Sequence, residues 1–387
     1  MRIAVFGASG FVGATLVERL WFDPTVEVVP VIHSSGNAAR LARFGRKLVI
    51  ADALRPRSID AALDGCSHVV NCSRGPAEVM LRGLDNLLEA SHRAGVQRFV
   101  HLSSVAAYGN TAVPVLDESA KPSPSRNTYG WTKLSQDELV ERAADRGLSC
   151  AVLCPPNISG TYSPFLLDVV DTMRRGEFAL VDAGRYPCEL VDVHNLAHAI
   201  RLALSAPRID AGRIFVTDGT ETTWADVANA LAPLVQHEGP FPSIDLNAAQ
   251  AIGAASAPPR PTVGRTLKHL GSQDLLGALR KDPLLASAEK SAKAAIRRLP
   301  ALEAALRRRF EKQPMAATRT RAAAWSERLI GQQLRNVRYS QSRARTVLEY
   351  QPVVSAAESM QAFRSWYGDL YGRNHAAWSL TQHLYQS

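Results

Sequence analysis

The first thirteen residues constrain the fold of this chain more than any other stretch. Residues 3–6 are all apolar, and residues 7–13 follow with glycine at the first, fourth and seventh positions. After a buried strand, this spacing permits a tight turn, lets backbone N–H groups approach a pyrophosphate, and allows a helix to pack closely on the strand. The segment therefore predicts a strand–turn–helix unit that binds a dinucleotide through Gly7, Ser9, Gly10, Phe11, Val12 and Gly13.

The rest of the first half alternates apolar runs with helical stretches. We expect further strands at 26–32, 48–50, 67–71, 98–102 and 149–153, and helices near 11–22, 77–94 and 128–146. Short, continuous apolar runs between helices are typical of a parallel sheet that is covered on both faces. The fold class is therefore α/β, a Rossmann-like doubly wound parallel sheet, with ligands expected at the carboxyl ends of the strands.

The pattern loosens after residue 156. Short strands at 189–193 and 214–216 mix with helices at 164–175, 194–205 and 223–235, which indicates a smaller C-terminal substrate lobe. Residues 239–268 are rich in Pro, Ala and Gly and are typical of a loop. We divide the chain into a dinucleotide-binding domain (1–155), a substrate lobe with closing helices (156–238 and 336–387), and a linker with a basic helical insertion (239–335).

The net charge of +9 belongs to one segment. Residues 251–350 hold 20 Lys and Arg against 7 Asp and Glu, whereas the rest of the chain holds 25 against 29. Few aromatic residues lie among these charges, so we expect no nucleic-acid partner. Two readings stay open: a solvated insertion folded over the substrate lobe, or peripheral contact of its amphipathic helices with an anionic membrane surface.

The cysteines and apolar runs indicate the compartment. The five cysteines are scattered and none has C-x-x-C spacing, so we expect no metal site and a reducing environment. No apolar run reaches the roughly 18 residues of a membrane-spanning helix, and the start of the chain does not resemble a signal peptide. We expect a cytoplasmic protein, with membrane-peripheral association as the alternative.

The end of the second strand bears on the choice between NAD and NADP. A carboxylate there would bind the ribose 2′-hydroxyl of NAD, but the chain has His33 and Ser34, with Arg40 nearby. These residues could bind a 2′-phosphate, so we favour NADP over NAD; the alternative is an ordinary solvated strand end. After the third strand, Asp52 and Ala53 stand where an acid often meets the adenine amine, although Asp52 could equally cap its own loop.

A phenol and an ammonium group occur four residues apart at Tyr129 and Lys133. On a helix these positions share one face, and a nearby cation lowers the pKa of a phenol so that it can exchange a proton near neutral pH. About 25 residues upstream, Ser103 and Ser104 follow the fifth strand, where a hydroxyl can bind a substrate oxygen. Together these residues predict a proton-transfer site at a carbonyl or carbinol carbon.

These motifs resemble the extended short-chain dehydrogenase/reductase family, which includes nucleotide-sugar epimerases and dehydratases. The matching stretches are the glycine turn, 103–109, Tyr129 with Lys133, 155–160, 191–193 and the tail from 339 to 352. The resemblance implies that Ser104 polarises the substrate oxygen, Tyr129 is the acid/base, and Lys133 orients the nicotinamide ribose.

The resemblance also implies other contacts. Cys72, Ser73, Arg74 and Ser103 would line the cofactor, Pro155 and Ile158 would flank the nicotinamide, Asn157 would contact the substrate, and Asn86 would support the proton network or pack near it. The expected partner is a small-molecule substrate. A homodimer through the two long helices is left open.

Two departures from the family narrow the function. Val105 and Ala106 stand where the family's dehydratases place Asp-Glu, so we disfavour dehydration. Cys188 stands where many nucleotide-sugar members place an arginine for the diphosphate, and Arg185 is the candidate substitute. We expect an NAD(P)-dependent oxidoreductase or epimerase acting on a sugar nucleotide or related small molecule. The alternatives are an NADPH-dependent carbonyl reductase with a non-sugar substrate and a non-catalytic cofactor-binding scaffold.

Overall fold

A computed structural model describes residues 1–35, 38–44, 48–110, 113–255 and 325–371. Its strands in chain order are β1 Arg2–Phe6, β2 Glu27–Ile32, β3 Val49–Ile50, β4 His68–Asn71, β5 Arg98–Leu102, β6 Val115–Leu116, β7 Cys150–Cys154, β8 Asn157–Ser159, β9 Leu180–Val181, β10 Leu190–Asp192, β11 Arg213–Phe215, β12 Ser243–Ile244 and β13 Arg338–Tyr339. Seven of them form a parallel sheet in the order β11-β7-β5-β4-β1-β2-β3. The predicted Rossmann-like sheet is confirmed.

The helices cover both faces of this sheet. In chain order they are α1 Phe11–Trp21, α2 Pro56–Ala62, α3 Ala77–Arg93, α4 Tyr129–Asp145, α5 Pro164–Arg174, α6 Val193–Ser205, α7 Trp224–Leu231, α8 Leu246–Ala255, α9 Glu327–Gln333, α10 Ser342–Leu348 and α11 Ala356–Tyr371. Successive residues of β1 point to opposite faces, and Ile3 and Ala4 are both fully buried in different apolar clusters. The continuous apolar runs in the sequence therefore reflect two cores, with α2, α3 and α4 on one and α1, α6 and α10 on the other.

A third core lies in the segment after β7, where α5, α7 and α11 pack around β9 and β10. The largest fully buried side chains there are Trp224 and Phe363. The chain also returns to the main sheet, because β11 pairs in parallel with β7. The described residues up to Ile252 and from Trp325 form one compact unit.

The segment expected to be a loop at 239–268 differs from the structure, which has helix α8 at Leu246–Ala255. Residues 246–255 include five alanines and lack proline, so local helix propensity outweighs the Pro/Gly-rich average of the longer window. Most of the expected basic helical insertion falls on 256–324, outside the described residues. Among the helices that are described, none combines the length and the apolar character needed to cross a bilayer.

Candidate functional site

The glycine turn after β1 is held by close backbone packing. Gly7 has a φ of +75°, and a Cβ added there would lie 2.8 Å from the backbone of Cys72 and Ser73. A Cβ added at Gly13 would lie 2.2 Å from the Gly7 carbonyl oxygen. Gly10 caps α1 without a side-chain bond, so the first N–H groups of this helix are free to bind an anion. These features fit the pyrophosphate of a dinucleotide, and Ser9, Phe11 and Val12 lie in the same turn.

Polar residues follow β2 at the carboxyl end of the sheet. His33 and Ser34 follow the last strand residue, Ile32, and both are exposed. Arg40 lies in a short 3₁₀ helix, Ala39–Phe44, and its guanidinium carbon is 4.3 Å from the ring centre of Tyr162. His33 and Ser34 are therefore accessible to a ligand, whereas the Arg40 side chain points toward the loop that follows β8.

The loop after β3 is fixed by its own contacts and by α3. The Asp52 carboxylate accepts a bond from the Leu54 N–H at 2.9 Å and lies 3.4 Å from the Arg55 guanidinium, so it caps its own turn. The Asn86 amide donates to the Ala53 carbonyl oxygen at 2.9 Å. Asn86 therefore stabilises the loop that was expected to contact adenine. The family resemblance had implied that Asn86 supports the proton network or packs near it.

Tight backbone packing brings the start of α4 to the end of β5. Tyr129 is the first residue of α4, and the Thr128 hydroxyl caps the helix by accepting a bond from the Trp131 N–H at 3.2 Å. A Cβ added at Gly130 would lie 2.1 Å from the Ala106 carbonyl oxygen. The 3₁₀ helix that contains Ala106 begins directly after Ser104. This packing places Ser104 and Tyr129 at the same edge of the sheet.

The two candidate catalytic hydroxyls have different surroundings. The Ser104 Oγ accepts a bond from the Ala106 N–H at 3.2 Å and lies 3.5 Å from the Pro155 carbonyl oxygen. Tyr129 is 41% exposed, and burial of its phenol raises the pKa above the ordinary value. Ser103, by contrast, is 4% exposed, and its hydroxyl has no hydrogen-bond partner among the described residues.

Two cations lie near Tyr129, and their arrangement differs from the expectation. The Lys133 ammonium is buried, donates to the Leu102 carbonyl oxygen at 2.7 Å, and lies 5.9 Å from the Tyr129 ring centre. Burial lowers the pKa of Lys133 to about 8. The Arg74 guanidinium is closer, 5.0 Å from the ring centre, and its positive charge lowers the pKa of the phenol against the effect of burial. Sequence reasoning assigned that effect to Lys133 and expected Arg74 only to line the cofactor.

Sequence reasoning missed a buried ion pair next to Lys133. Asp137 is fully buried one helical turn later, and its carboxylate lies 2.6 Å from the Arg213 Nε. Burial raises the pKa of Asp137 to about 6, although the Arg213 charge lowers it. Asp137 could have been found from its spacing to Lys133, whereas Arg213 is 76 residues away and has no local signal.

The remaining cofactor candidates line the ends of β4, β7 and β8. Burial raises the pKa of Cys72 to about 12, so its side chain is a neutral thiol. The Ser73 N–H donates to the Asn71 side chain at 3.1 Å. The Pro155 carbonyl oxygen accepts from the Val105 N–H at 3.2 Å. Asn157 and Ile158, both half-buried, lie on β8, which pairs with β10.

The two positions considered for a diphosphate lie in the lobe. Cys188 is 1% exposed and belongs to the apolar cluster that also contains Tyr186, Leu190 and Trp224. The Arg185 side chain is 70% exposed, and its guanidinium lies 2.9 Å from the Asp182 carboxylate. Cys188 is therefore a buried thiol, and Arg185 is an arginine that already has an ion-pair partner.

Residues 3–217, more than half of the chain, match the NAD dependent epimerase/dehydratase family. A ketoreductase of Stigmatella aurantiaca that acts on 4-hydroxy-2-methyl-3-oxo-4-farnesyl-3,4-dihydroquinoline-1-oxide is 27% identical over 232 residues, which cover 57% of this chain and 69% of the relative. The 3β-hydroxysteroid dehydrogenase/Δ5→4-isomerase of Mycobacterium tuberculosis is 28% identical over 274 residues, which cover 63% of this chain and 69% of the relative.

Solved structures share the fold at lower identity. The UDP-glucuronic acid 4-epimerase of Bacillus cereus in complex with NAD has a TM-score of 0.64 at 15% identity and covers 96% of this chain and 100% of its own. The UDP-glucose 4-epimerase of Thermotoga maritima has a TM-score of 0.64 at 18% identity, with coverage of 95% and 99%. The chain belongs to the NAD dependent epimerase/dehydratase family and is an NAD(P)-dependent enzyme of the extended short-chain dehydrogenase/reductase type.

Proposed function

We propose that this enzyme interconverts a ketone and a secondary alcohol on a small molecule that is not a sugar nucleotide. The observation that carries this proposal is the burial of Cys188 at the position where many sugar-nucleotide enzymes of the family have an arginine. Burial raises the pKa of the Cys188 thiol well above its ordinary value, so the group is neutral, and it lies in a buried apolar cluster where a diphosphate would lose its hydration without gaining a cation.

Arg185 is a poor replacement for that arginine. Its guanidinium forms an ion pair with Asp182 and stacks 5.4 Å from the ring centre of the adjacent Tyr186. Binding a diphosphate would require Arg185 to leave both contacts. This geometry argues against the sugar-nucleotide epimerase considered from the sequence.

The names of several sequence relatives support the same substrate class. One is a ketoreductase of a quinoline oxide, one a hydroxysteroid dehydrogenase, and a third, from Synechocystis, is described as a putative dihydroflavonol 4-reductase. All three names describe oxidation or reduction at a carbon that bears oxygen on a molecule other than a sugar nucleotide.

In the proposed reaction, a nicotinamide dinucleotide held at the glycine turn would supply the hydride to the carbonyl carbon, or accept it from the carbinol carbon. Tyr129 donates the proton to the carbonyl oxygen in reduction and accepts it in oxidation, because the packing of Gly130 against Ala106 places Tyr129 at the same end of the sheet as Ser104. Ser104 donates a hydrogen bond to the same oxygen and stabilises the charge that develops there. Lys133 would hold the nicotinamide ribose through its buried ammonium group, which lies 5.9 Å from the Tyr129 ring centre, and the phenolate that Tyr129 leaves after reduction regains its proton from solvent.

For the cofactor we propose NADPH over NADH. His33 and Ser34 are exposed at the end of β2 and no carboxylate is present at that strand end to repel a 2′-phosphate. Titration with NADPH and NADH by fluorescence tests this proposal. We expect tighter binding of NADPH, and we expect His33→Asp to reverse the preference; tighter binding of NADH by the unchanged protein would contradict it.

Turnover tests the reaction itself. Purified protein is supplied with NADPH or NADH and ketones of the quinoline, steroid and short-chain classes, and in parallel with UDP-glucose and UDP-glucuronic acid. We expect consumption of the reduced nucleotide with at least one ketone and no change of the sugar nucleotides. Epimerisation of a UDP-sugar without net consumption of nucleotide would overturn the proposal.

Other assignments from the sequence remain proposals. These are the division into a domain of 1–155, a lobe of 156–238 with 336–387, and an insertion of 239–335; a homodimer through the two long helices; and a cytoplasmic protein whose basic segment contacts an anionic membrane surface. Size-exclusion chromatography with light scattering tests the dimer. Sedimentation with vesicles that contain phosphatidylserine tests the membrane contact.

A further inference from the structure

We propose that Arg74 is a second cation of the candidate active site, placed over the ring of Tyr129 so that it stabilises the phenolate that forms when Tyr129 gives up its proton. The inference rests on the function proposed above, in which Tyr129 transfers that proton. It gives Arg74 an electrostatic role in the reaction, whereas the family resemblance implied only that Arg74 lines the cofactor.

The Arg74 guanidinium lies over the Tyr129 ring. Its central carbon is 5.0 Å from the ring centre, whereas the ammonium nitrogen of Lys133 is 5.9 Å from the same point. The negative charge of a phenolate is shared between its oxygen and its ring, so a cation over the ring is attracted more strongly to the ionised form than to the neutral one. This position therefore favours loss of the proton from Tyr129.

The positive charge of Arg74 is available to Tyr129. Arg74 is exposed, and within the described ranges it forms no ion pair and no hydrogen bond. Arg82, which lies on α3, differs because it pairs with Glu78. A carboxylate partner would offset most of the field that a guanidinium exerts on a neighbouring group. Arg74 has no such partner among these residues, so its field acts on the phenol undiminished by an ion pair.

The loop that carries Arg74 is held on both sides. Before Arg74, the Asn71 side chain accepts a bond from the Ser73 N–H at 3.1 Å, and its amide nitrogen lies 3.3 Å from the Nδ1 of His101 on β5. Both Asn71 and His101 are buried. After Arg74, α3 begins with Pro76 as its N-cap. These contacts restrain the backbone at Arg74 and so limit the conformations from which its side chain must reach Tyr129.

Two further titratable groups that face Tyr129 do not supply a positive charge. Burial raises the pKa of the Tyr129 phenol, the charge of Arg74 lowers it, and the negative charge of Asp137 on α4 raises it again. Cys154, the last residue of β7, is fully buried, and burial raises the pKa of its thiol far above the ordinary value. Cys154 is therefore neutral, and only a cation can offset burial and Asp137.

Lys133 is the other cation that faces Tyr129, but its charge is not constant. Burial lowers the pKa of the Lys133 ammonium group to about 8. Lys133 therefore loses its charge as the pH rises through the range in which a phenol begins to ionise. A guanidinium keeps its charge throughout that range. Arg74 is consequently the positive charge that remains when Tyr129 becomes a phenolate.

The ultraviolet absorbance of phenolate tests the inference without cofactor or substrate. At each pH, the spectrum of the protein minus that of Tyr129→Phe isolates the ionisation of Tyr129 from that of the other tyrosines. The same difference is taken for Arg74→Met, with and without Tyr129→Phe. We expect Arg74→Met to move the titration of Tyr129 to higher pH, so that below the midpoint the phenolate fraction falls by about ten-fold at a given pH.

Two variants serve as controls for this titration. Arg74→Lys keeps a positive charge on a different side chain and should restore part of the shift. Arg82→Met removes an exposed arginine that is paired with Glu78, and it should leave the titration of Tyr129 where it is in the unchanged protein. A Tyr129 titration that Arg74→Met does not move would overturn the inference.

Nucleotide titration separates this role from cofactor binding. If Arg74→Met weakens binding of NADP⁺ and leaves the titration of Tyr129 unchanged, Arg74 binds the cofactor and the inference is wrong. If Arg74→Met moves the titration of Tyr129, the electrostatic role is supported whether or not the nucleotide also binds more weakly.

Turnover separates the inference from the proposed function. With a ketone that the unchanged protein reduces, Arg74→Met should lower kcat/KM by a similar factor in reduction and in oxidation of the product alcohol, because both directions share one transition state. The pH profile of alcohol oxidation should move to higher pH. Turnover with a pH profile that Arg74→Met does not move would retain the reaction and reject the role of Arg74. A shifted Tyr129 titration without turnover of any ketone would support that role and count against the reaction.

Discussion

The glycine turn after β1 and the region around Tyr129, at the end of β5, are built in different ways. In the turn, backbone atoms form the site, and a single added methyl group at Gly13 would lie 2.2 Å from a carbonyl oxygen. Around Tyr129, side chains from α4 and from the loop after β4 lie near the end of β5, and their positions depend on packing between distant parts of the chain. The comparison teaches that a backbone site has a strict local sequence pattern, whereas a side-chain site can change its ligand by single substitutions on the same fold.

The largest effect should follow from Tyr129→Phe, which tests the side-chain site. Removing the phenol oxygen removes the proton donor, so we expect kcat to fall by about 100- to 10,000-fold. Nucleotide binding should stay within about two-fold, since the glycine turn is untouched. Steady-state kinetics and fluorescence titration measure the two quantities. Tyr162→Phe, which removes a hydroxyl from an exposed tyrosine of the lobe, is the control; a comparable loss there would contradict the assignment.

The backbone site is tested by two glycines that both lie in helices. Gly13→Ala in α1 forces a Cβ against the Gly7 carbonyl oxygen, so we expect a loss of about 1–3 kcal/mol in stability and weaker nucleotide binding. Gly331→Ala in α9 meets nothing within 4 Å and should stabilise the protein by up to about 1 kcal/mol. Urea denaturation and nucleotide titration measure both. Equal effects of the two changes would show that the turn is not specially restrained.

Sequence predicts these two regions to different extents. Strands β1, β4, β5 and β7 were predicted within a residue or two, because residues buried on both faces form continuous apolar runs. Ser104, Tyr129 and Lys133 could be proposed from the sequence because they lie within 30 residues of one another. The position of the Arg74 side chain over Tyr129 could not be found, because it depends on how the loop after β4 packs against the start of α4. Helix α8 was missed because the window around it was dominated by proline and glycine outside its bounds.

Buried acids give the lobe a pH dependence that should be smaller than the effects above. Asp218 accepts bonds from the Asp192 N–H and the Asn195 amide, and burial raises its pKa from an ordinary 3.8 to about 7. Between these values the folded protein holds a proton that the unfolded chain has released, so this group makes stability fall as pH rises from about 4 to 7. The contribution is at most about 1.4 kcal/mol per pH unit.

Asp218→Asn tests this dependence, because the amide oxygen can still accept the two bonds made to Asp218 Oδ1 and the amide does not titrate. We expect the variant to lose less stability than the unchanged protein between pH 5 and 7, measured by urea denaturation at each pH. Asp226→Asn, at an exposed capping box of α7, is the control and should leave the slope unchanged. Parallel slopes for Asp218→Asn and the unchanged protein would show that Asp218 is ionised throughout.

The smallest effect concerns a contact between the segment after β2 and the loop after β8. The Arg40 guanidinium lies 4.3 Å from the Tyr162 ring centre, and Tyr162 in turn packs 4.5 Å from the Trp366 ring centre on α11. A cation–π contact at an exposed site is worth about 0.5–1 kcal/mol. A double-mutant cycle with Arg40→Met and Tyr162→Leu should give a coupling energy of that size in urea denaturation, and the cycle removes the separate packing effects of each change.

Repeating the cycle with saturating NADP⁺ tests whether Arg40 binds the 2′-phosphate of the cofactor. If Arg40 binds the 2′-phosphate, it must leave the Tyr162 ring, and the coupling energy should fall toward zero. NAD⁺ lacks that phosphate, so it should leave the coupling unchanged and serves as the matched control. A coupling that survives NADP⁺ would keep Arg40 on the lobe and leave the 2′-phosphate to His33 and Ser34. The coupling energy between Arg40 and Tyr162 would then report how strongly a ligand bound at the carboxyl end of the sheet changes this contact.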